Sequence, residues 1–181
     1  MKKIIFIGDS ITANFTELKR HQHVLNKGVS GDRTTDVIER LYDIKKEDPE
    51  EVFLMIGIND LLTNNHIWFT DFPISITTTY DFIVQYLIKH LNTKRIILFS
   101  ILPISSFVVI KRDIEASVNE QIDEMNIYIK SLADQHNLTY IDLNQHYKGE
   151  NRMKKAYTTD GVHLTKEGYE LFYKKIQSFL I

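Results

Sequence analysis

The chain has 181 residues, enough for one domain with a full core and short for two. Its 43% hydrophobic and 25% charged residues are those of an ordinary globular protein, and a formal net charge of −2 excludes a general attraction to nucleic acid or to an anionic membrane. With no cysteine, disulfides, thiolate catalysis and cysteine-ligated zinc are excluded as well.

The opening "MKKIIFIG" begins like a secretory leader, but its apolar part stops at Gly8-Asp9 and no small-residue cleavage site follows. The expectation is the first strand of a cytoplasmic protein, in which the Asn-x-Thr triplets at Asn14 and Asn137 carry no meaning for glycosylation. Ile4-Ile5-Phe6-Ile7 is β-branched and aromatic, a buried strand ended by Gly8. "VLNKGVSG" (24–31) reads as a short second strand ending in glycines. "TTDVIERLYDI" follows as a helix capped by Thr34 or Thr35, with Val37, Ile38, Leu41 and Ile44 on one face. "EVFLMIGIND" (51–60) supplies a third apolar strand. Tyr80, Ile83, Leu87 and Leu91 then repeat at a helical period. "RIILFSILPI" (95–104) is a fourth strand closed by Pro103, and Val118, Ile122, Met125, Ile129 and Leu132 mark another amphipathic helix. "LTYIDL" (138–143) is a fifth strand. A last helix starts near Thr165 and buries Tyr169, Phe172, Ile176 and Phe179.

No repeat, linker or low-complexity run interrupts this alternation, so one domain is expected over 1–181. Strands alternating with helices of this length imply an α/β fold, a parallel sheet covered on both faces. A flavodoxin-like strand order, 2-1-3-4-5, satisfies the right-handed crossover rule with five strands.

Polar residues collect where the strands end. Gly8-Asp9-Ser10 follows the first strand, Gly28-Val29-Ser30-Gly31-Asp32 the second and Gly57-Ile58-Asn59-Asp60 the third. Asp160-Gly161-Val162-His163 precedes the last helix. In a parallel sheet the strand carboxyl ends share one edge, so the first three motifs converge there, and the fourth joins them if its loop returns over that edge. Acyl transfer to a serine needs a hydroxyl, a base, a group orienting the base, and donors for the oxyanion. Ser10 offers the hydroxyl, and His163 is the natural base near pH 7. Asp160, three residues earlier, can reach one ring nitrogen and fix the tautomer. The N–H groups of Ser10 and Gly31, with the Asn59 amide, would form the oxyanion hole; at Gly31 no Cβ obstructs the substrate carbonyl. The order Ser, Asp, His is that of α/β-hydrolases, but Thr12 stands where their G-x-S-x-G elbow needs its second glycine. A different serine-hydrolase scaffold is indicated.

With these four blocks in hand, the sequence resembles the SGNH hydrolases, also called the GDSL esterase/lipase family. "GDS" (8–10) is similar to the family's first block, "VSGD" (29–32) to the second, "GIND" (57–60) to the third and "DGVH" (160–163) to the fourth. Ile11 replaces the leucine of GDSL, a swap of apolar residues. The resemblance implies Ser10 as nucleophile, Gly31 and Asn59 as oxyanion donors, and Asp160 and His163 as the rest of a triad. It further implies a flavodoxin-like three-layer fold, no cofactor or metal, and hydrolysis of esters or occasionally thioesters. A single block arises often by chance, whereas four in order, each at a predicted strand end or loop, are specific.

Each residue also has a plainer reading. Ser10 could be only a helix N-cap, which leaves Asn59 and His163 unexplained. Asp9 is expected to order the first turn by bonding backbone amides. Gly28 is expected simply to turn the chain, and Asp60 to cap the helix after it. His21 and His23 resemble a metal pair only superficially, lacking a clear third ligand, and belong to a solvated loop. Asp142 and His146 form a rival acid–histidine pair with no serine motif nearby. His66, His90 and His136 are expected at the surface. "HIWFTDF" (66–72) and "SSFVVIKR" (105–112) should emerge on the active edge, lining a pocket or burying against the sheet edge or a second subunit.

The expected function is that of a serine esterase for small-molecule acyl esters, carbohydrate O-acetyl groups among them, with no nucleic-acid partner and no membrane insertion. The rivals are a lipid-directed acylhydrolase such as a lysophospholipase or thioesterase, and a catalytically idle ligand-binding domain.

Overall fold

The computed structural model describes residues 2–64, 75–106 and 112–181, and at 64 and 112–115 the backbone alone. Five parallel strands, β1 (Ile4–Gly8), β2 (Val24–Gly28), β3 (Glu51–Met55), β4 (Arg95–Phe99) and β5 (Thr139–Ile141), form a sheet in the order β2-β1-β3-β4-β5. This is the expected order. Among the described residues eight α-helices accompany the strands: α1 (Ser10–Ala13), α2 (Thr34–Glu39), α3 (Leu41–Lys46), α4 (Ile58–Asn64), α5 (Ile76–His90), α6 (Arg112–His136), α7 (Asn144–Tyr147) and α8 (Lys166–Ile176).

Side chains alternate across the pleat, so the continuous apolar strands feed two cores. Ile5, Ile7, Val52, Leu54, Ile96 and Leu98 pack with residues of α2 to α6 on one face. Ile4, Phe6, Phe53, Met55, Ile97 and Phe99 pack with residues of α1, α7 and α8 on the other. The second core is aromatic. Phe6 stacks on Phe53 at 4.5 Å between centroids, and Phe172 of α8 meets Phe15 at 4.6 Å and the edge of Phe99 at 5.3 Å.

Several boundaries differ from those read in the sequence. The helix expected across 34–44 is broken at Arg40 into α2 and α3. Neither Thr34 nor Thr35 caps it: Arg33 does, its N–H donating to Asp36 at 2.7 Å, while the Thr34 hydroxyl is committed to Asp60. β4 stops at Phe99 rather than Ile104. Residues 101–104 stay buried but pair with side chains instead of a strand: the amide of Asn126 brackets the Ile101 N–H (2.7 Å) and C=O (2.9 Å), and Asn119 does the same at Ile104. One helix face thus completes the backbone bonding of an extended segment. Phe179 is only half-buried and lies beyond α8, in a short 3₁₀ turn.

Register places Gly8 between Gly28 and Met55, so β2, β1 and β3 end at one level. There α1 lies directly against them. A Cβ on Gly28 would stand 2.3 Å from Ala13 N, and one on Gly8 would stand 2.4 Å from the Met55 carbonyl oxygen. Gly28 is therefore required for close packing rather than for turning the chain. Gly28→Ala is expected to destabilise the fold by about 2–3 kcal/mol through overpacking against backbone, read as a fall in the midpoint of thermal unfolding.

Candidate active site

At the carboxyl end of β1 the chain turns sharply into α1. Asp9 caps that helix, its Oδ1 accepting the Ile11 N–H at 2.9 Å. Asp9 thus plays the expected turn-ordering part, and Ser10 is the first helical residue rather than the cap. The Ser10 Oγ lies 3.0 Å from His163 Nε2. His163 comes from the loop before α8, and its Nδ1 lies 2.6 Å from Asp160 Oδ2. The other oxygen of Asp160 accepts the N–H groups of Val162 (3.0 Å) and His163 (2.8 Å). Partial burial pushes the Asp160 carboxyl up, but hydrogen bonds from the His163 ring and from these amides outweigh it and hold it below its ordinary range. An ionised Asp160 keeps the proton on Nδ1, which leaves Nε2 as an acceptor for the serine O–H.

The loop bearing this pair is itself pinned. Gly161 adopts φ 100°, a left-handed conformation that suits glycine. The Thr158 hydroxyl donates to the His163 carbonyl at 2.9 Å and accepts the Gly161 N–H at 2.8 Å. The Ser105 N–H reaches the Gly161 carbonyl at 2.9 Å, so the segment held by Asn119 and Asn126 also holds the histidine loop over the edge.

The other two predicted residues sit on neighbouring strand ends. Gly31 has φ 87°, and a Cβ there would meet nothing within 4 Å: backbone conformation, not crowding, favours glycine. Asn59, at the start of α4, donates from Nδ2 to the Asp32 carbonyl at 2.9 Å, which uses one of the two hydrogens of its amide. Asp60 bonds its own N–H in the first turn of α4. Its carboxylate takes the Thr34 N–H (3.0 Å) and hydroxyl (2.5 Å), capping α2 from across the edge.

Among the rival residues, Asp142 and His146 are not joined by a hydrogen bond among the described residues. Burial, then the nearby Lys175, lowers the His146 ring from its ordinary value. His21 and His23 correct the solvated-loop expectation: both are half-buried, His21 Nε2 lying 3.0 Å from the Tyr173 hydroxyl and His23 Nε2 3.1 Å from the Leu180 carbonyl. They anchor the carboxyl-terminal segment. His90 is exposed and His136 half-buried beside Gln85. His66 and the segments 66–72 and 107–111 lie outside the described residues. No group of three or more His, Asp or Glu able to hold a metal ion occurs among the described residues, nor is any helix there long and apolar enough to cross a membrane. Sequence reasoning passed over Arg40, whose guanidinium bonds the Asp32 carboxylate at 2.8 Å; as a charged residue in a helical stretch it gave no signal.

The doubly wound parallel sheet thus carries a serine, a histidine and a carboxylate linked by hydrogen bonds at its carboxyl edge. The chain belongs to the GDSL-like Lipase/Acylhydrolase family, whose model matches residues 6–171. A GDSL-like lipase of Bacteroides thetaiotaomicron has the same fold, with a TM-score of 0.82 at 24% identity over 99% of this chain and 87% of that one. An acetyl xylan esterase superposes with a TM-score of 0.78 at 25% identity, over 99% of this chain and 100% of that one. The N-acylneuraminate cytidylyltransferase of Streptococcus agalactiae serotype V is 25% identical over 97% of this chain, which spans 38% of that relative's length.

One further carboxyl sits in this cluster. Burial pushes the pKa of Asp9 up to about 7, against the Ile11 hydrogen bond and the charge of His163, which lower it. In the unfolded chain the same group titrates at about 4. Between those values the folded state binds the extra proton, so Asp9's contribution to stability falls as pH rises from about 4 to about 7 and is level above. Asn at this position accepts the same cap bond without titrating. The melting temperature of Asp9→Asn, relative to wild type, is therefore expected to rise between pH 5 and pH 8; a pH-independent difference would contradict this reading.

Proposed function

We propose that the protein is a serine esterase that removes small acyl groups, O-acetyl groups on carbohydrate among them, through an acyl-enzyme on Ser10. The observation that carries the reading is the unbroken hydrogen-bonded run from Ser10 Oγ through both nitrogens of His163 to Asp160. His163 Nε2 takes the serine proton as Oγ attacks the ester carbonyl. Asp160 holds the ring in the required tautomer and stabilises the imidazolium. The tetrahedral oxyanion is met by the Ser10 N–H, which as a first-turn helix N–H has no intrahelical acceptor, by the Gly31 N–H, and by the Asn59 amide. Protonated His163 then gives its proton to the leaving alcohol. Water enters, loses a proton to the same nitrogen, and releases the acid from Ser10. The preference for acylated sugars draws support from the acetyl xylan esterase and the N-acylneuraminate enzyme that this chain resembles.

The test is a panel of acetylated sugars and p-nitrophenyl esters of rising chain length. Rates are expected to fall steeply beyond acetyl or butyryl; sustained rates on long chains would favour the lipid-directed reading. Ser10→Ala and His163→Ala are expected to fall close to background, and a Ser10→Ala enzyme with wild-type activity on p-nitrophenyl acetate would reject the reading. Removing one oxyanion donor costs about 10²–10³ in kcat, so Asn59→Ala should be impaired yet measurable. Asp160→Asn is expected to lose activity with its fold intact, through the wrong histidine tautomer. A fluorophosphonate probe should label Ser10, which an idle site would not allow.

A further inference from the structure

Arg40 occupies the break between α2 and α3, at φ −107° and ψ 6°, with its side chain largely buried beneath the active edge. Its Nε donates to Asp32 Oδ2 at 2.8 Å, and Nη2 lies 2.7 Å from the same oxygen. Nη1 donates to the Lys27 carbonyl at 2.7 Å, and Nη2 to the Gly8 carbonyl at 3.2 Å. Each acceptor belongs to a different part of the proposed oxyanion hole. Gly8 is two residues before Ser10, and its carbonyl also takes the Val29 N–H at 3.0 Å. Lys27 lies at the end of the strand that leads to Gly31. Asp32 follows Gly31, and its carbonyl holds the Asn59 amide.

We propose that Arg40 is a positioning residue for the oxyanion hole: one guanidinium sets the spacing of the three segments that carry the Ser10 N–H, the Gly31 N–H and the Asn59 amide. The inference rests on the serine-esterase reading above. A planar cation with five donors in a fixed fork can hold three acceptors in different directions at once, and a lysine ammonium on a flexible stem cannot reproduce that geometry. The break in the helix has a purpose on this account, since an unbroken helix would carry the 40 side chain along a different path. Displacing a donor by about 1 Å costs about 10²-fold in rate, which sets the scale of the expected effect.

The experiment compares wild type, Ser10→Ala, Arg40→Gln, Arg40→Lys, Asn59→Ala and the Arg40→Gln/Asn59→Ala double variant on p-nitrophenyl acetate, each well below its melting temperature. Arg40→Gln is expected to lower kcat about 10–100-fold with KM within about twofold, the pattern of an interaction made only in the transition state. Arg40→Lys should fall nearly as far despite keeping the charge and stem. In the Asn59→Ala background, Arg40→Gln should cost less than it does in wild type, because part of its effect runs through the Asn59 amide and residues acting on one oxyanion are not independent. With Ser10→Ala inactive, wild-type kcat in the Arg40 variants, a loss expressed wholly in KM, or losses that multiply in full would overturn the proposal and leave the esterase reading standing. An active Ser10→Ala would instead overturn the esterase reading. If Arg40→Gln does not fold, Arg40→Lys alone decides between the same outcomes.

Discussion

Everything at the active edge depends on how closely α1 is seated on the ends of β1, β2 and β3. The two glycines at positions 8 and 28 permit that approach, because a side chain on either would strike the Met55 carbonyl oxygen or the backbone of Ala13. With the helix so placed, Ser10 follows the last sheet residue after a single turn residue and inherits its position from three strands at once. Tyr169 of α8 fixes α1 from the far side, its hydroxyl donating to the Ile11 carbonyl at 3.0 Å. Ser10 is therefore held by the strand ends on one side and by α8 on the other, the kind of support that sub-ångström placement requires.

The histidine arrives by a different route. Its loop belongs to no strand and gains its position from outside, through the Gly161 carbonyl, Ser105 and the segment bracketed by Asn119 and Asn126. A helix on one face of the sheet thus helps to place His163, which comes from the loop feeding a helix on the other face. The His163 and Asp160 side chains are each 42% exposed, whereas the Ser10 residue is only 7% exposed. Water can reach the His163 ring, as the proposed deacylation needs, while Ser10 stays sheltered.

The strands and most helices were legible because a parallel sheet buried on both faces writes itself as continuous apolar runs, and a helix against it as a 3.6-residue period. The four polar blocks were legible for a related reason: chemistry-bearing residues interrupt those runs at the strand ends. What stayed hidden was set by partners far along the chain. Thr34 reads as a cap until Asp60 claims its hydroxyl from across the edge. Asn119 and Asn126 look like polar lapses on an apolar helix face until Ile104 and Ile101 present unpaired backbone to them. His21 and His23 look solvated because Tyr173 and Leu180 are more than 150 residues away. The break at Arg40 has no local cause such as proline or glycine; the three acceptors beneath it supply a tertiary one.

The edge also poses an electrostatic difficulty, and its solution is distributed. The proposed oxyanion must form where three carboxyl groups, Asp9, Asp32 and Asp60, already lie close enough that the latter two raise the pKa of the first. Three free negative charges there would oppose the transition state directly. Each is quenched by different means. Asp32 pairs with Arg40, Asp60 is saturated by the N–H and O–H of Thr34, and Asp9 is buried so deeply that its proton stays on up to about neutral pH. Asp160 lies instead behind His163, where in the proposed reaction its negative charge would favour an imidazolium. The same residue type is thus paired, hydrogen-bonded or buried on the Ser10 side and held below its ordinary range beside His163, according to what the fold places around each one.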